Sequence, residues 1–301
     1  MIEPWVVITI IGAFFQNLRS VLQKKAASNL TTLGASYTRF LFALPFAVCY
    51  LVFLKKYFGF AVPSPSFLFF FYCIFGGIAQ IVFTILLISM FEQRNFAIGT
   101  VFSKTELVQV AILAYFILGE PLSLNELLAL MITTLGVLIL AVKGAGISPR
   151  HVLSSLTNTS TIWGIGSGAA LGLSVVLYRA AALSLTEGDF LMRAGFTLLV
   201  SLVVQSFILG TLIFFRERET IVKMFLHWKE CVSVGIAGIL ASIAWFTAFT
   251  MQDAAQVRAV GQIELVFTFL ASILFFKEKS SLLELIGMSF IIAGVIFMIL
   301  A

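Results

Sequence analysis

The chain has 301 residues, 60% of them hydrophobic and only 11% charged, with a formal net charge of +5. Soluble domains lie nearer ~45–50% apolar and ~25% charged, so a mean hydropathy of +1.09 places this chain in a bilayer as a multi-pass protein of a cell membrane. That balance leaves no stretch for a soluble catalytic domain, and no basic face with stacking platforms is present to bind nucleic acid.

A spanning helix needs roughly 20 apolar residues. On that basis spans are predicted at 4–25, 33–54, 67–91, 96–118, 123–142, 160–183, 188–215, 231–251, 254–276 and 281–300. The alternating ~10-residue segments of a membrane barrel are not seen. Met1-Ile2-Glu3-Pro4 runs into the first span without a basic stretch or cleavage-like site, so that helix is expected to stay in the bundle. Span one is polar on its later turns, with Gln16, Asn17, Arg19, Ser20 and Gln23, and is expected to line a cavity.

Arg39 lies about one and a half turns into span two, and Arg193 about as far into span seven. Each could hold a carboxylate or phosphate through a forked pair of hydrogen bonds, or could pair with a membrane carboxylate. Gln80 and Thr84 on span three, with Tyr178 and Trp245 later, are weaker lining candidates. The 143–161 connection, rich in Gly, Ser, Thr and Asn, reads as the boundary between a first half, 1–147, and a second, 158–301. The 216–230 segment mixes both charge signs and reads as a solvated or headgroup-facing linker. Cys49, Cys73 and Cys231 are isolated and read as packing thiols, while His151 and His227 fall in predicted loops. No metal site or cofactor is expected.

The halves repeat one another. An offset of 158 places Gly77-Ile78-Ala79 on Gly235-Ile236-Ala237, and Glu106-Leu107-Val108 on Glu264-Leu265-Val266. The same offset pairs Glu120, Ser123, Leu124, Glu126 and Leu127 with Glu278, Ser281, Leu282, Glu284 and Leu285. A second offset of 154 pairs Gly34, Arg39 and Lys25 with Gly188, Arg193 and Arg179. Five spans per half is an odd number, so the second copy enters the membrane from the opposite side. The expected fold is an all-α membrane protein of ten transmembrane helices, arranged as two inverted five-helix repeats around a central cavity. The positive-inside rule places both termini outside, since Lys24, Lys25, Lys143, Arg216, Lys223 and Lys229 then fall in cytoplasmic loops.

A charge at the centre of a span costs about 2.5–3.5 kcal/mol on insertion scales, so it faces a partner or a wet cavity. Glu106 and Glu264 each lie about ten residues into their spans, ~15 Å deep. On a continuous helix Lys104 and Glu106 stand ~200° apart, so they define separate stripes. Thr100, Ser103, Glu106 and Gln109 or Val110 form one on span four, and Val257, Gly261, Glu264 and Thr268 form its counterpart on span nine. Arg258 and Gln262 belong to the neighbouring stripe. Either the Glu stripe or the Lys104/Gln262 stripe faces the cavity, and Glu106 has Lys104 or Arg258 as possible ion-pair partners.

These residues carry a resemblance. Glu106-Leu107, Leu118-Gly119-Glu120 and Gly136-Val137 recur as Glu264-Leu265, Glu278 and Gly294-Val295. The pattern resembles the ten-helix, EamA-type branch of the drug/metabolite transporter superfamily over essentially the whole chain. That family often has proline where Leu107 and Leu265 stand, so the kink it implies there lacks its usual cause. The resemblance implies a central cavity lined by spans one to four and six to nine, spans five and ten at the periphery, metabolite export or uptake, and cytoplasmic termini.

The function expected is secondary transport of small polar solutes, such as amino acids or other zwitterionic or anionic metabolites, by alternating access. Glu106 and Glu264 are the candidates to carry a coupled proton. The solute or ion site is drawn from Glu106, Glu264, Lys104, Gln262, Gln109, Arg39, Arg193, Arg258 and Asn17. No Gly-x-x-x-x-Gly-Lys-Ser/Thr loop is present, so energy comes from gradients. A channel or a signalling scaffold is the alternative, and the unequal pairs Lys104/Gln262 and Thr100/Arg258 argue against a symmetric pore. An intramembrane enzyme lacks its nucleophile and base.

Overall fold

The computed structural model describes residues 3–27, 29–91, 96–146, 158–276 and 281–301. Among them the chain forms fourteen helices and no strand. They are α1 (Pro4–Ala26), α2 (Thr32–Leu41), α3 (Leu44–Tyr57), α4 (Phe67–Phe91), α5 (Phe96–Ser103), α6 (Glu106–Leu118), α7 (Leu124–Ala145), α8 (Thr159–Ser184), α9 (Phe190–Arg216), α10 (Arg218–Leu226), α11 (Trp228–Met251), α12 (Ala254–Gly261), α13 (Ile263–Phe276) and α14 (Leu282–Leu300). Nine stretches of the described residues are long and apolar enough to cross a membrane. The ninth expected span, 254–276, is built of α12 and α13. Expected features at Glu278 and His151 lie outside the described residues.

Helix ends explain part of the repeat. Ser123 Oγ accepts from the Glu126 amide at 3.2 Å while Glu126 Oε2 accepts from the Ser123 amide at 2.6 Å. Ser281 and Glu284 repeat this capping box at 3.3 and 2.7 Å. Each box satisfies two of the amides that a helix start leaves unpaired. The glycine of Leu118-Gly119-Glu120 closes α6 at φ 69°, a left-handed turn that costs glycine nothing.

The chain divides into two compact units, each drawing helices from both halves of the sequence. The first comprises Met1–Val6, Val82–Val176 and Gln252–Ala301. Within it, α7 and α14 pack along one another, helix against helix, through small residues. A Cβ on Gly136 would lie 2.7 Å from the Gly287 carbonyl oxygen, and one on Gly294 would lie 2.2 Å from Thr133 Oγ1. The Thr133 hydroxyl turns back to the Ala129 carbonyl at 2.9 Å, so this donor is paired within the helix contact.

The second unit comprises Val7–Ile81 and Leu177–Met251. Its core gathers Tyr37, Phe40, Ile81, Leu198, Leu202, Leu209, Ile213 and Ile239 from α2, α4, α9 and α11. The 216–230 linker is more ordered than its composition suggested: α10 buries Thr220 and Met224, and Thr220 sits over Gly34 of α2. Asn29 and Thr31 donate to Glu230 and Glu217 at 3.1 and 2.5 Å, tying the α1–α2 turn to this segment. Arg179 donates to the Phe249 carbonyl at 2.6 Å, satisfying an orphan acceptor in the last turn of α11. Cys73 and Cys231 are buried as expected of packing thiols, but Cys49 is exposed on α3 beside the exposed Val48, Val52 and Phe53. Phe67, Phe207 and Phe215, each exposed on at least seven-tenths of its surface, suit a lipid face.

Candidate functional site

Span four is not one helix. It breaks between α5 and α6, where Lys104 and Thr105 form a turn closed by amide bonds to Val101 and Phe102, each at 3.1 Å. Span nine breaks at Gln262, whose amide reaches the Ala259 carbonyl at 3.2 Å. Lys104 and Gln262 occupy equivalent repeat positions, so the discontinuity is itself repeated. The expected ~200° between Lys104 and Glu106 assumed an unbroken helix, whereas Lys104 lies in the turn and Glu106 starts α6. No proline causes the first break. Instead the Ser103 hydroxyl donates to the Thr100 carbonyl at 2.8 Å and the Thr105 hydroxyl to the Phe102 carbonyl at 2.6 Å. Such bonds compete with the helical ladder. Gly168 of α8 lies against this turn, since a Cβ there would stand 2.9 Å from the Ser103 carbonyl oxygen. Gln109 donates to Thr105 Oγ1 at 2.9 Å and to the Ile165 carbonyl at 3.4 Å, linking α6 to α8.

Glu106 and Glu264 each fall in the first turn of the half-helix that follows a break. There the helix dipole favours negative charge. Glu106 is buried and forms an ion pair with the equally buried Arg258 of α12. Glu264 is half-buried and adds its charge to the field at the Arg258 guanidinium. Of the two partners expected for Glu106, the structure supplies Arg258, and Lys104 stays half-buried in the turn. Gln262 is buried, donates to the Arg258 carbonyl at 3.4 Å, and leaves its Oε1 without a hydrogen-bond partner. Next to the same half-helix, Glu120 accepts from the Ala254 amide at 3.3 Å, and Glu126 accepts from Gln256. All these groups belong to the first unit.

The second unit holds a separate polar chamber of about 40 Å³, lined by Arg19, Arg39, Gln80, Ser201, Gln205 and Ser242 with apolar neighbours. Gln205 donates to Gln80 Oε1 and, at 2.9 Å, to the Tyr178 hydroxyl. Tyr178 in turn donates to Gln80 Oε1 at 3.5 Å, and its ring packs on Phe246. Gly76 permits this, since a Cβ would stand 3.0 Å from the Tyr178 ring. Arg193, the repeat partner of Arg39, is elsewhere: it is half-buried and donates to the Leu185 carbonyl at 3.3 Å. Asn17 is half-buried on α1 and is not among the chamber's lining residues. Sequence reasoning missed Gln205, Ser201 and Ser242. Gln205 carried a usable signal, an amide isolated in an otherwise apolar span.

A family profile described as the EamA-like transporter family matches residues 3–142 and 158–300. Among solved structures, one described only as "Crystal structure of protein" aligns with a TM-score of 0.69 at 13% identity, covering 99% of this chain and 96% of its own. That likeness carries the fold alone. No curated protein matches the chain.

Proposed function

Because the chain belongs to the EamA-like transporter family, and is therefore a multi-pass membrane transporter of small molecules, we propose that it is a secondary carrier of small zwitterionic or anionic solutes. In this reading the two halves form an inverted repeat and alternate access to a site enclosed by the bundle. Glu264 carries the coupled proton, while Glu106 is held by Arg258. The supporting observation is the pair of repeat-equivalent breaks at Lys104–Thr105 and Gln262, each with a carboxylate in the first turn of the helix that follows. Irregular backbone at membrane depth is tolerated where it is buried in protein or lines a cavity. Half-helix termini are also where carriers hold charged cargo and coupling ions.

Reconstituted proteoliposomes test this with radiolabelled amino acids and organic acids, with and without an imposed proton gradient. Wild-type uptake should be saturable and accelerated by the gradient. Glu264→Gln should lose that acceleration while retaining exchange of solute for solute. Gradient dependence unchanged in both Glu264→Gln and Glu106→Gln would remove the carboxylates from coupling, and flux without saturation would replace the carrier with a channel.

A further inference from the structure

The chamber of the second unit is lined by cations and by no anion. Two guanidinium side chains, Arg19 and Arg39, share one partly enclosed space, and none of its lining residues is a carboxylate. Arg39 presents buried Nε and Nη2 donors that have no hydrogen-bond partner. Its guanidinium carbon stands over the Phe40 ring, 4.4 Å from the ring centre. A buried charge with unmet donors is costly, and burial beside a second cation raises that cost. The two lining amides, Gln80 and Gln205, already bond to each other and to Tyr178. What completes this chamber is therefore a small group with negative charge and acceptor oxygens.

We propose that the chamber is an oxyanion-binding subsite, in which Arg39 donates a forked pair of hydrogen bonds to a solute carboxylate or phosphate and Arg19 supplies the second positive charge. A volume of about 40 Å³ holds roughly three waters. It accepts the charged head of a solute and excludes the rest, which must extend beyond it. The subsite deepens the carrier reading and rests on it for the solute's passage, but binding is measurable by itself. Gln80, Gln205 and Tyr178 act as positioning residues that hold the wall rigid. Arg193, with one of its nitrogens on the Leu185 carbonyl, has no part in the subsite.

Isothermal titration of the purified full chain in phosphatidylcholine nanodiscs tests this, with glycine, acetate and inorganic phosphate as probes and methylammonium as the cation control. Saturable binding of at least one oxyanion and none of methylammonium is expected, and comparison of acetate with phosphate identifies the preferred head. Arg39→Gln should weaken binding by about ten- to a hundredfold, as expected for loss of hydrogen bonds to a charged group. Arg39→Lys keeps the charge without the fork and should fall between. Arg193→Gln should bind as the wild type. Unliganded melting temperatures report whether each variant is folded, and Arg39→Lys keeps the comparison open if Arg39→Gln is not. No oxyanion binding to a folded wild type, or an unchanged Kd in both Arg39 variants, overturns the subsite. So does a chamber that answers only to added phosphatidylglycerol, since the anion would then be a lipid headgroup. Solute exchange in proteoliposomes with an Arg39 variant of wild-type KM sinks the subsite and spares the carrier; absence of any exchange sinks the carrier.

Discussion

Arg258 should matter more to stability than either carboxylate near it. Its side chain and that of Glu106 are 7% and 6% exposed, so their attraction is little screened by solvent. Removing one partner of such a pair leaves an uncompensated buried charge, at a cost of about 3–5 kcal/mol. Arg258→Met leaves both Glu106 and Glu264 without their cation and should show that full cost. Glu106→Gln leaves Arg258 with the attraction of Glu264 and a neutral hydrogen-bond acceptor, so about 1–3 kcal/mol is expected. Removing both charges, as Glu106→Leu with Arg258→Met, should return stability to within roughly 1–2 kcal/mol of the wild type, because apolar replacement of a buried pair is often nearly neutral. A shift of about 2–4 °C per kcal/mol puts Arg258→Met some 6–20 °C below the wild type. The assay is thermal unfolding of the purified protein in one detergent at fixed pH, completed as a double-mutant cycle with the Leu and Met single variants. Strictly additive changes, with no coupling energy between the two positions, would refute the pairing argument.

Close helix approaches give contrasting pairs. Gly164→Ala should impair transport in protein that still reaches the membrane, because its Cβ would stand 2.3 Å from the Gly99 carbonyl oxygen, whereas Gly166→Ala, whose Cβ meets only Leu86 Cδ1 at 3.6 Å, should transport normally. Gly294→Ala should lower the melting temperature by several degrees through contact with Thr133, while Gly144→Ala, with nothing within 4 Å, should leave it unchanged or raise it slightly. Loss of either capping serine, by Ser123→Ala or Ser281→Ala, should cost about 1 kcal/mol in the same assay. Gly76→Ala should displace the Tyr178 ring and raise KM for anionic solutes with little change in kcat, read from uptake kinetics.

What could be read from sequence was whatever depends on local pattern. Hydropathy located nine spans of the described residues, and the 158-residue offset located the segments that hold the capping boxes and the helix breaks. The recurring Ser-x-x-Glu before an apolar run was visible as a repeat and, in hindsight, as a capping box. The composition of the 216–230 segment concealed α10, because its buried face is only Thr220 and Met224 and owes its burial to Gly34, far away in sequence.

The candidate site was legible as a set of residue types and not as an arrangement, for a definite reason. The reading of span four as a continuous helix set Lys104 and Glu106 on opposite stripes, and the turn at Lys104 and Thr105, beside the close approach of Gly168, interrupts that helix. Arg39 and Arg193 look equivalent by offset, yet one lines a chamber with Arg19 and the other spends a donor on the Leu185 carbonyl. A repeat preserves position within a span; it does not preserve neighbours, which come from other spans that have diverged separately. Gln205 has that importance here: a single amide on α9 closes the bonds to Gln80 and Tyr178 and turns a stretch of helix wall into one side of the polar chamber. The polar geometry inside each unit is therefore set by the unmatched residues of the two copies as much as by the matched ones.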